Sequence, residues 1–334
     1  MTYETFLAVV EKTKRVKLSD AMIIIENLYR QAALAEEAIE EYYKIYDLFD
    51  LLLQQPVFIG NADDYHNLAV VCAKQDDFDS ACRFLDEGLK RYPFCVDLLS
   101  DYLNYGMQCD KKNQCEDIYI RLISKKDDWN WRAYRFTIDY LINLSNMDFV
   151  NREAEIMSLI KDYQEKLPDD EDSYLVHAEF LSRKAREKKE VDGEERMFVK
   201  ILTYVTSDNS PVGRTPKCDL KLADYYYNNG VSIGKAIQLL ERCKKNSIEV
   251  QPSVNRSYVY LLSALCKMTQ YYEISQSDNE AMENLAMEVY KNYHIASLNK
   301  ADSRVYNCKN LIESFIRESR IPYPYDDGVE NSIY

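Results

Sequence analysis

Glycine and proline are scarce. Eight of each in 334 residues is about 5% of the chain, less than half the usual share. Sandwiches and barrels of many short strands need such residues at their turns, so both are excluded as fold classes. Long apolar runs are missing too. The N-terminal run Phe6–Val10 is too short for the apolar core of a secretory signal. Nothing approaches the roughly 20 apolar residues of a membrane span. Histidine is rare: His66, His177 and His294 lie far apart and form no HxxxH or HExxH, so the spacing offers no metal-ligand set. No CxxC occurs. The nine cysteines (72, 82, 95, 109, 115, 218, 243, 266 and 308) are scattered and odd in number, which reads as reduced, buried thiols in a cytoplasmic protein. Gly230 and Gly234 bracket Val231-Ser232-Ile233 without the strand-to-helix setting of a phosphate loop, and read as an interhelical turn. No GxSxG appears, and no spacing singles out an acid/base pair. Neither a cofactor, a metal nor an enzyme activity is therefore expected.

Positive charge is also in deficit: 42 basic against 56 acidic side chains give a net charge of −14. Nucleic-acid binding is carried by clustered cations that displace counterions, so this balance argues against nucleic acid and an anionic membrane as partners. The one basic cluster, Arg183, Lys184, Arg186, Lys188 and Lys189, is diluted by glutamates and reads as a helix C-terminus, where cations suit the dipole. The densest acidic run, Asp169-Asp170-Glu171-Asp172, follows Pro168 and reads as a helix N-terminus for the same reason.

What the chain does have is apolar content, 46%, arranged at helical spacing. Residues 62–94 form the clearest unit. Tyr65, Leu68, Ala69 and Cys72 mark one helix. Gln75-Asp76-Asp77 make a turn. Phe78, Ala81, Leu85 and Gly88 mark a second helix, which Pro93 stops. Asp63 and Asp64 stand where acceptors cap free N–H groups. Ala69, Ala81 and Gly88 fall where two antiparallel helices cross closest, and a large side chain there would force the axes beyond 8–10 Å. Tyrosine is abundant, at 28 residues. Much of it falls on core positions of such units (Tyr65, Tyr102, Tyr119, Tyr140, Tyr174, Tyr226, Tyr258), packed with the hydroxyl reaching the edge. Tyr134 and Tyr227 fall off those positions.

These residues resemble the tetratricopeptide repeat, whose 34-residue unit sets aromatic, Leu, small and aromatic positions on helix A, and small, large, small and Pro on helix B; Cys72 replaces the second aromatic. A second unit follows as Leu99, Tyr102, Leu103, Gly106, Cys115, Tyr119 and Leu122. The third starts near Trp129, with Ala133, Phe136 and Tyr140, and its second helix (Ile156, Ile160, Tyr163, Pro168) comes about seven residues late. The fourth begins at Tyr174, with His177, Ala178 and Leu181, and resumes after a charged insertion at Phe198, Leu202 and Val205. The fifth has Leu222, Ala223 and Tyr226, then Ala236, Leu240 and Cys243. The sixth is loose: Tyr258, Leu261, Leu262 and Leu265, then a helix near 279–294. The expected fold is all-α, an alpha-alpha superhelix of about six antiparallel helix pairs with helical caps at both ends, which such arrays need to cover their terminal apolar faces. The expected organisation is an N-terminal cap or degenerate repeat at 1–60, repeats 1–4 at 61–205, and a linker or long loop at 206–219. Repeats 5–6 follow at 220–296, then a capping helix at 297–320 and a Pro/Tyr/acidic tail at 321–334.

The resemblance also implies a groove, since helix A of each such unit lines the concave face through its second, fifth, ninth and twelfth to thirteenth positions. Carried onto this chain, these are His66, Val70 and Lys74; Ser100, Asn104 and Gln108; Trp131, Tyr134, Ile138 and Leu141; Leu175, Glu179 and Arg183; and Asp224 and Tyr227. The Lys/Asn/Arg clamp by which one subfamily holds C-terminal carboxylates is absent from these positions. The expected function is a non-enzymatic scaffold that binds a protein or peptide on apolar and aromatic anchors, with a small-molecule ligand disfavoured. Two other readings stand beside it: an acidic decoy covering a basic surface of a partner, and an enzyme on a helical scaffold.

Overall fold

The computed structural model describes residues 3–13, 18–34, 39–54, 61–73, 76–109, 111–188, 191–207, 210–213, 215–247, 256–274, 279–298 and 303–319. Among them there is no strand. The helices divide between two compact units, Met1–Leu167 and Pro168–Tyr334.

The first unit contains α1 (Tyr3–Thr13), α2 (Leu18–Leu34), α3 (Ile39–Gln54), α4 (Ala62–Ala73), α5 (Phe78–Arg91), α6 (Val96–Gly106), α7 (Lys112–Ile123), α8 (Trp131–Ile142), α9 (Asn146–Asn151) and α10 (Glu153–Lys166). Helices α4 and α5 are the hairpin of residues 62–94. Asn61 caps α4: its Oδ1 accepts from the Asp64 N–H at 2.8 Å while Asp64 Oδ2 accepts from the Asn61 N–H at 3.1 Å. This reciprocal pair satisfies two N–H groups the helix leaves open. The turn that follows carries Asp76 at φ 59 and sends the Asp77 N–H back to the Cys72 carbonyl, which closes α4 with a left-handed residue. Asp77 then caps α5 by accepting from the Ser80 N–H at 3.1 Å. Gly88 explains how closely the pair packs: a Cβ there would lie 2.9 Å from Tyr65 Cβ and 3.0 Å from Leu98 Cδ1.

Packing repeats along the unit. Helix α4 packs on α6 and α6 on α8, which makes one layer of A helices; α5 and α7 follow α4 and α6 as B helices, and α10 packs on α8. Short α9 occupies the residues by which the third B helix is late. Helices α2 and α3 also pair with each other, α2 packing on α4 and α3 on α5. The N-terminal region is thus a further hairpin set in the same register, preceded by α1. The Tyr3 hydroxyl donates to Asp47 on α3 at 2.6 Å, and Phe6 is buried.

The second unit contains α11 (Glu171–Lys188), α12 (Val191–Val205), α13 (Pro216–Asn228), α14 (Ile233–Ser247), α15 (Arg256–Glu273), α16 (Asn279–Ser297) and α17 (Ser303–Glu318). Three hairpins follow in order, with α11 against α13 and α13 against α15 as the A layer. Helix α17 closes the stack on α15 and α16, burying Val305, Ile312, Phe315 and Ile316. The 206–219 stretch lies inside this unit, where Val212 and Thr215 are buried; the division between units falls at Leu167 and Pro168. Gly230, at φ +60, turns the chain between α13 and α14. Fold class is therefore all-α, a tetratricopeptide-like helical repeat. The tail 321–334 lies outside the described residues.

The polar runs fall as their charge suggests, with one difference. Asp170 caps α11, accepting from the Asp172 N–H at 3.0 Å, and Arg183, Lys184, Arg186 and Lys188 of the basic cluster occupy its last turns; Lys189 lies outside the described residues. Glu171 and Asp172, however, are each only 7% exposed, because the start of α13 packs over them. Lys217 Nζ reaches Asp172 at 2.6 Å, and Glu171 Oε1 accepts from the Cys218 N–H at 2.6 Å. Fully buried Asp219 is held by Arg242 of α14.

Candidate binding face

The A layer of the first unit brings three side chains from three consecutive repeats into one contact. On α4, Tyr65, Leu68, Ala69 and Cys72 point into the hairpin, which turns His66 and Val70 to the flank, half-buried. Helix α6 presents Asp101 there, 1% exposed, and His66 Nδ1 is hydrogen-bonded to its carboxylate. From α8, Arg132 Nη1 donates to His66 Nε2 at 3.1 Å. His66 thus bridges the two, one ring nitrogen to the Asp101 carboxylate and the other to the Arg132 guanidinium. The buried carboxylate thereby has a cation on the far side of His66, linked to it through hydrogen bonds, the arrangement that makes a buried charge tolerable. Tyr105, one turn beyond Asp101, has its phenol pushed up, first by burial and then by the Asp101 charge, with Arg132 opposing.

Arg132 also faces the Trp131 ring, 5.5 Å from guanidinium carbon to centroid. Trp131 is 43% exposed, and its ring lies 6.4 Å from that of half-buried Phe136. An exposed aromatic thus adjoins a guanidinium whose position is fixed from behind. Asn104 of α6 is half-buried and Gln108, in the turn past its end, is exposed, so the surface next to Asp101 is polar. Lys74 lies outside the described residues.

Several expected groove residues are interior instead. Ser100 is fully buried and its hydroxyl donates to the Val96 carbonyl of its own helix at 2.6 Å. Tyr134, Ile138 and Leu141 are fully buried as well. Tyr134 stacks on Tyr163 at 5.0 Å and meets Trp129 edge-on at 5.0 Å, so it is a core residue of the third hairpin and not a surface anchor. Positions 134, 138 and 141 form the inward stripe of α8; the outward stripe is 132, 135, 136 and 139. The repeat register was one residue out on this helix, and one residue is about 100° of rotation. Asp101, Tyr105 and Arg132 were missed for the same reason. The signal for them was present: Asp101 stands 35 residues after His66 and Arg132 31 after Asp101, a like-placed acid and base on successive A helices.

In the second unit the A-layer positions are occupied by internal contacts. Leu175 is buried. Glu179 lies 4.0 Å from Lys221 Nζ, and Arg183 lies 3.2 Å from Glu187. Asp224 accepts the Tyr258 hydroxyl hydrogen bond, and Tyr227 packs on the α15–α17 core. A cavity of about 340 Å³ opens beside them, lined by Ser182, Arg186, Phe198, Lys221, Asp224 and Tyr225 among others. Among the described residues, no three His, Cys, Asp or Glu side chains group to hold a metal ion, and no helix is long and apolar enough to cross a membrane.

The sequence matches no family model and no curated protein. Solved structures do resemble it. One is a tetratricopeptide repeat protein from Parabacteroides merdae ATCC 43184, at 13% identity and TM-score 0.45, covering 88% of this chain and 98% of that one. Another is a human IFIT1 dimer with PPP-AAAA, at 14% identity and TM-score 0.42, covering 88% of this chain and 66% of that one. A monomeric IFIT1 mutant with Gppp-AAAA is 13% identical at TM-score 0.47, covering 95% and 70%. At such identities the ligands in those structures remain properties of those proteins.

Proposed function

We propose that the protein is a non-enzymatic scaffold that binds a protein or peptide segment across the A layer of its first unit. The observation that supports this reading is Trp131, 43% exposed beside an Arg132 held in place through His66 and Asp101. An ordered guanidinium loses little freedom on binding, and five N–H donors leave it several to offer once His66 has taken one. A fitting segment carries an apolar side chain for the Trp131–Phe136 surface and a carboxylate or carbonyl acceptor for Arg132. Anchors of this kind, aromatic and arginine, carry most of the energy in protein recognition. The net charge of −14 is the argument against a polyanion on the same face.

A random-peptide display selection against the full chain tests this. Peptides sharing an apolar anchor next to an acceptor should be enriched, and their binding should weaken about tenfold in Trp131→Ala and in Arg132→Ala, about 1.4 kcal/mol, with unchanged circular dichroism. Equal binding by wild type and both variants would overturn the placement. Competition by a single-stranded RNA oligonucleotide would move the reading to nucleic acid, and loss of binding over a small rise in salt would move it to the acidic-decoy reading.

A further inference from the structure

Two thiols meet where the first and second repeats of residues 62–123 join. Cys82, on α5, is fully buried. Cys109 sits just past the end of α6, in the turn before α7, and is half-buried. Their sulfurs are 3.5 Å apart, and the Cys109 thiol is oriented by the Tyr105 carbonyl at 3.4 Å. The nine cysteines are all free thiols in this structure.

We propose that Cys82 and Cys109 are an oxidisable pair that forms an intramolecular disulfide on exposure to a hydroperoxide. A disulfide needs its sulfurs about 2.05 Å apart, so the pair has to close by about 1.5 Å. One partner belongs to a turn, not a helix, and the movement falls there. The same geometry orders the chemistry. Burial pushes the Cys82 thiol well up, which keeps it protonated and unreactive toward solvent oxidant. Cys109 is the accessible sulfur. Its thiolate attacks one peroxide oxygen, the O–O bond breaks, and the departing hydroxide takes a proton and leaves as water. The product is a sulfenic acid on Cys109. The Cys82 sulfur then attacks the Cys109 sulfur and the S–O bond breaks. The Cys82 proton leaves with the hydroxide as a second water. Two thiols and one hydrogen peroxide give one disulfide and two waters; the protein loses two hydrogens. The link ties α5 to the turn that follows Gln108, at the end of the α6 flank.

The test is peroxide treatment of the full chain followed by intact mass and peptide mapping. A loss of about 2 Da, two fewer alkylatable thiols, and reversal by a dithiol are expected. The linked peptides should be 75–83 and 92–111; because the second also holds Cys95, fragmentation has to place the bond on Cys109. Cys109→Ser should abolish the loss, whereas Cys115→Ser, which changes the neighbouring buried thiol on α7, should retain it. Cys82→Ala should leave Cys109 as a sulfenic acid that a dimedone probe captures, with circular dichroism confirming that each variant folds. A thiol count that stays at nine, a bond mapped to a different pair, or progressive oxygen addition to Cys109 without crosslinking would overturn the assignment.

Discussion

Glu171 is expected to make the second unit lose stability as pH rises from 4.5 to about 7. It is the first residue of α11, 7% exposed, and burial under α13 raises its carboxyl to about 7 from an ordinary 4.5. The Cys218 N–H and Lys217 oppose the shift, while Asp172 and Asp219 add to it. Below pH 4.5 the group is protonated in both the folded and the unfolded chain and contributes its full share. Between 4.5 and 7 the unfolded chain releases the proton and the folded chain keeps it, so stability falls with each pH unit; above 7 both are ionised and the loss is complete. At about 1.4 kcal/mol per unit over that span, the loss amounts to about 3 kcal/mol. Glu171→Gln keeps the Oε1 acceptor for the Cys218 N–H and never ionises. The variant should match wild type within about 0.5 kcal/mol at pH 4.5 and exceed it by about 2–3 kcal/mol at pH 8. Urea midpoints at the two pH values, followed by far-UV circular dichroism at equal m-values, measure that difference directly. A difference of the same size at both pH values would show that the gain is not ionisation, and a deficit growing with pH would reverse the reasoning.

Four further substitutions, at three positions, probe the packing and one turn. Tyr134→Ala should cost about 3–5 kcal/mol, the range for emptying a large aromatic site, and Tyr134→Phe should be neutral or stabilising by up to about 1 kcal/mol, since the buried hydroxyl has no protein partner among the described residues; thermal melts that rank Phe far below wild type would contradict this. Gly88→Ala should destabilise by about 1–3 kcal/mol, because the new methyl meets Tyr65 Cβ at 2.9 Å, and a raised melting temperature would show that α4 and α5 separate freely. Asp76→Gly should stabilise by about 0.5–1 kcal/mol by removing the steric cost of a left-handed residue at φ 59, with unfolding midpoints as the readout; a loss would mean that the Asp76 side chain contributes more than its backbone conformation costs.

The repeat was legible wherever one small residue decides the distance between helices. Gly88 admits Tyr65, and the aromatic, small and branched positions of residues 62–94 follow from that approach; the same pattern locates α13 and α14. Legibility weakened where an element was inserted. Six-residue α9 is too short to show a period of its own, so its presence registered only as a delay before Ile156. The N-terminal hairpin was visible as helix, with a cap and a degenerate repeat left as alternatives. Its pairing with α4 and α5 depends on which faces meet, and that is set by tertiary contact, not by spacing alone.

The outward flank of the A helices was read less well, for a geometric reason. Counting positions from a repeat start carries any error in that start to every residue of the helix, and a helix converts one residue into about 100°. On α4, His66 and Val70 lie on the flank, half-buried. On α8 the start is set by Asn130, whose side chain accepts from the Ala133 N–H at 3.1 Å, and by Trp129, whose ring is buried with its N–H on the Leu122 carbonyl at 2.9 Å. These two contacts rotate Tyr134 inward and bring Arg132 out over His66. Net charge concealed the result further. A sum of −14 suggests a repelling surface everywhere, yet at this point a carboxylate and a guanidinium meet across one imidazole. The consequence is local: with Asp101 hydrogen-bonded, half-buried Arg132 and the exposed Trp131 ring make a partly aromatic surface on an acidic protein. That contrast is what a peptide with an apolar anchor and a single acceptor would recognise, and neither composition nor a position count reveals it.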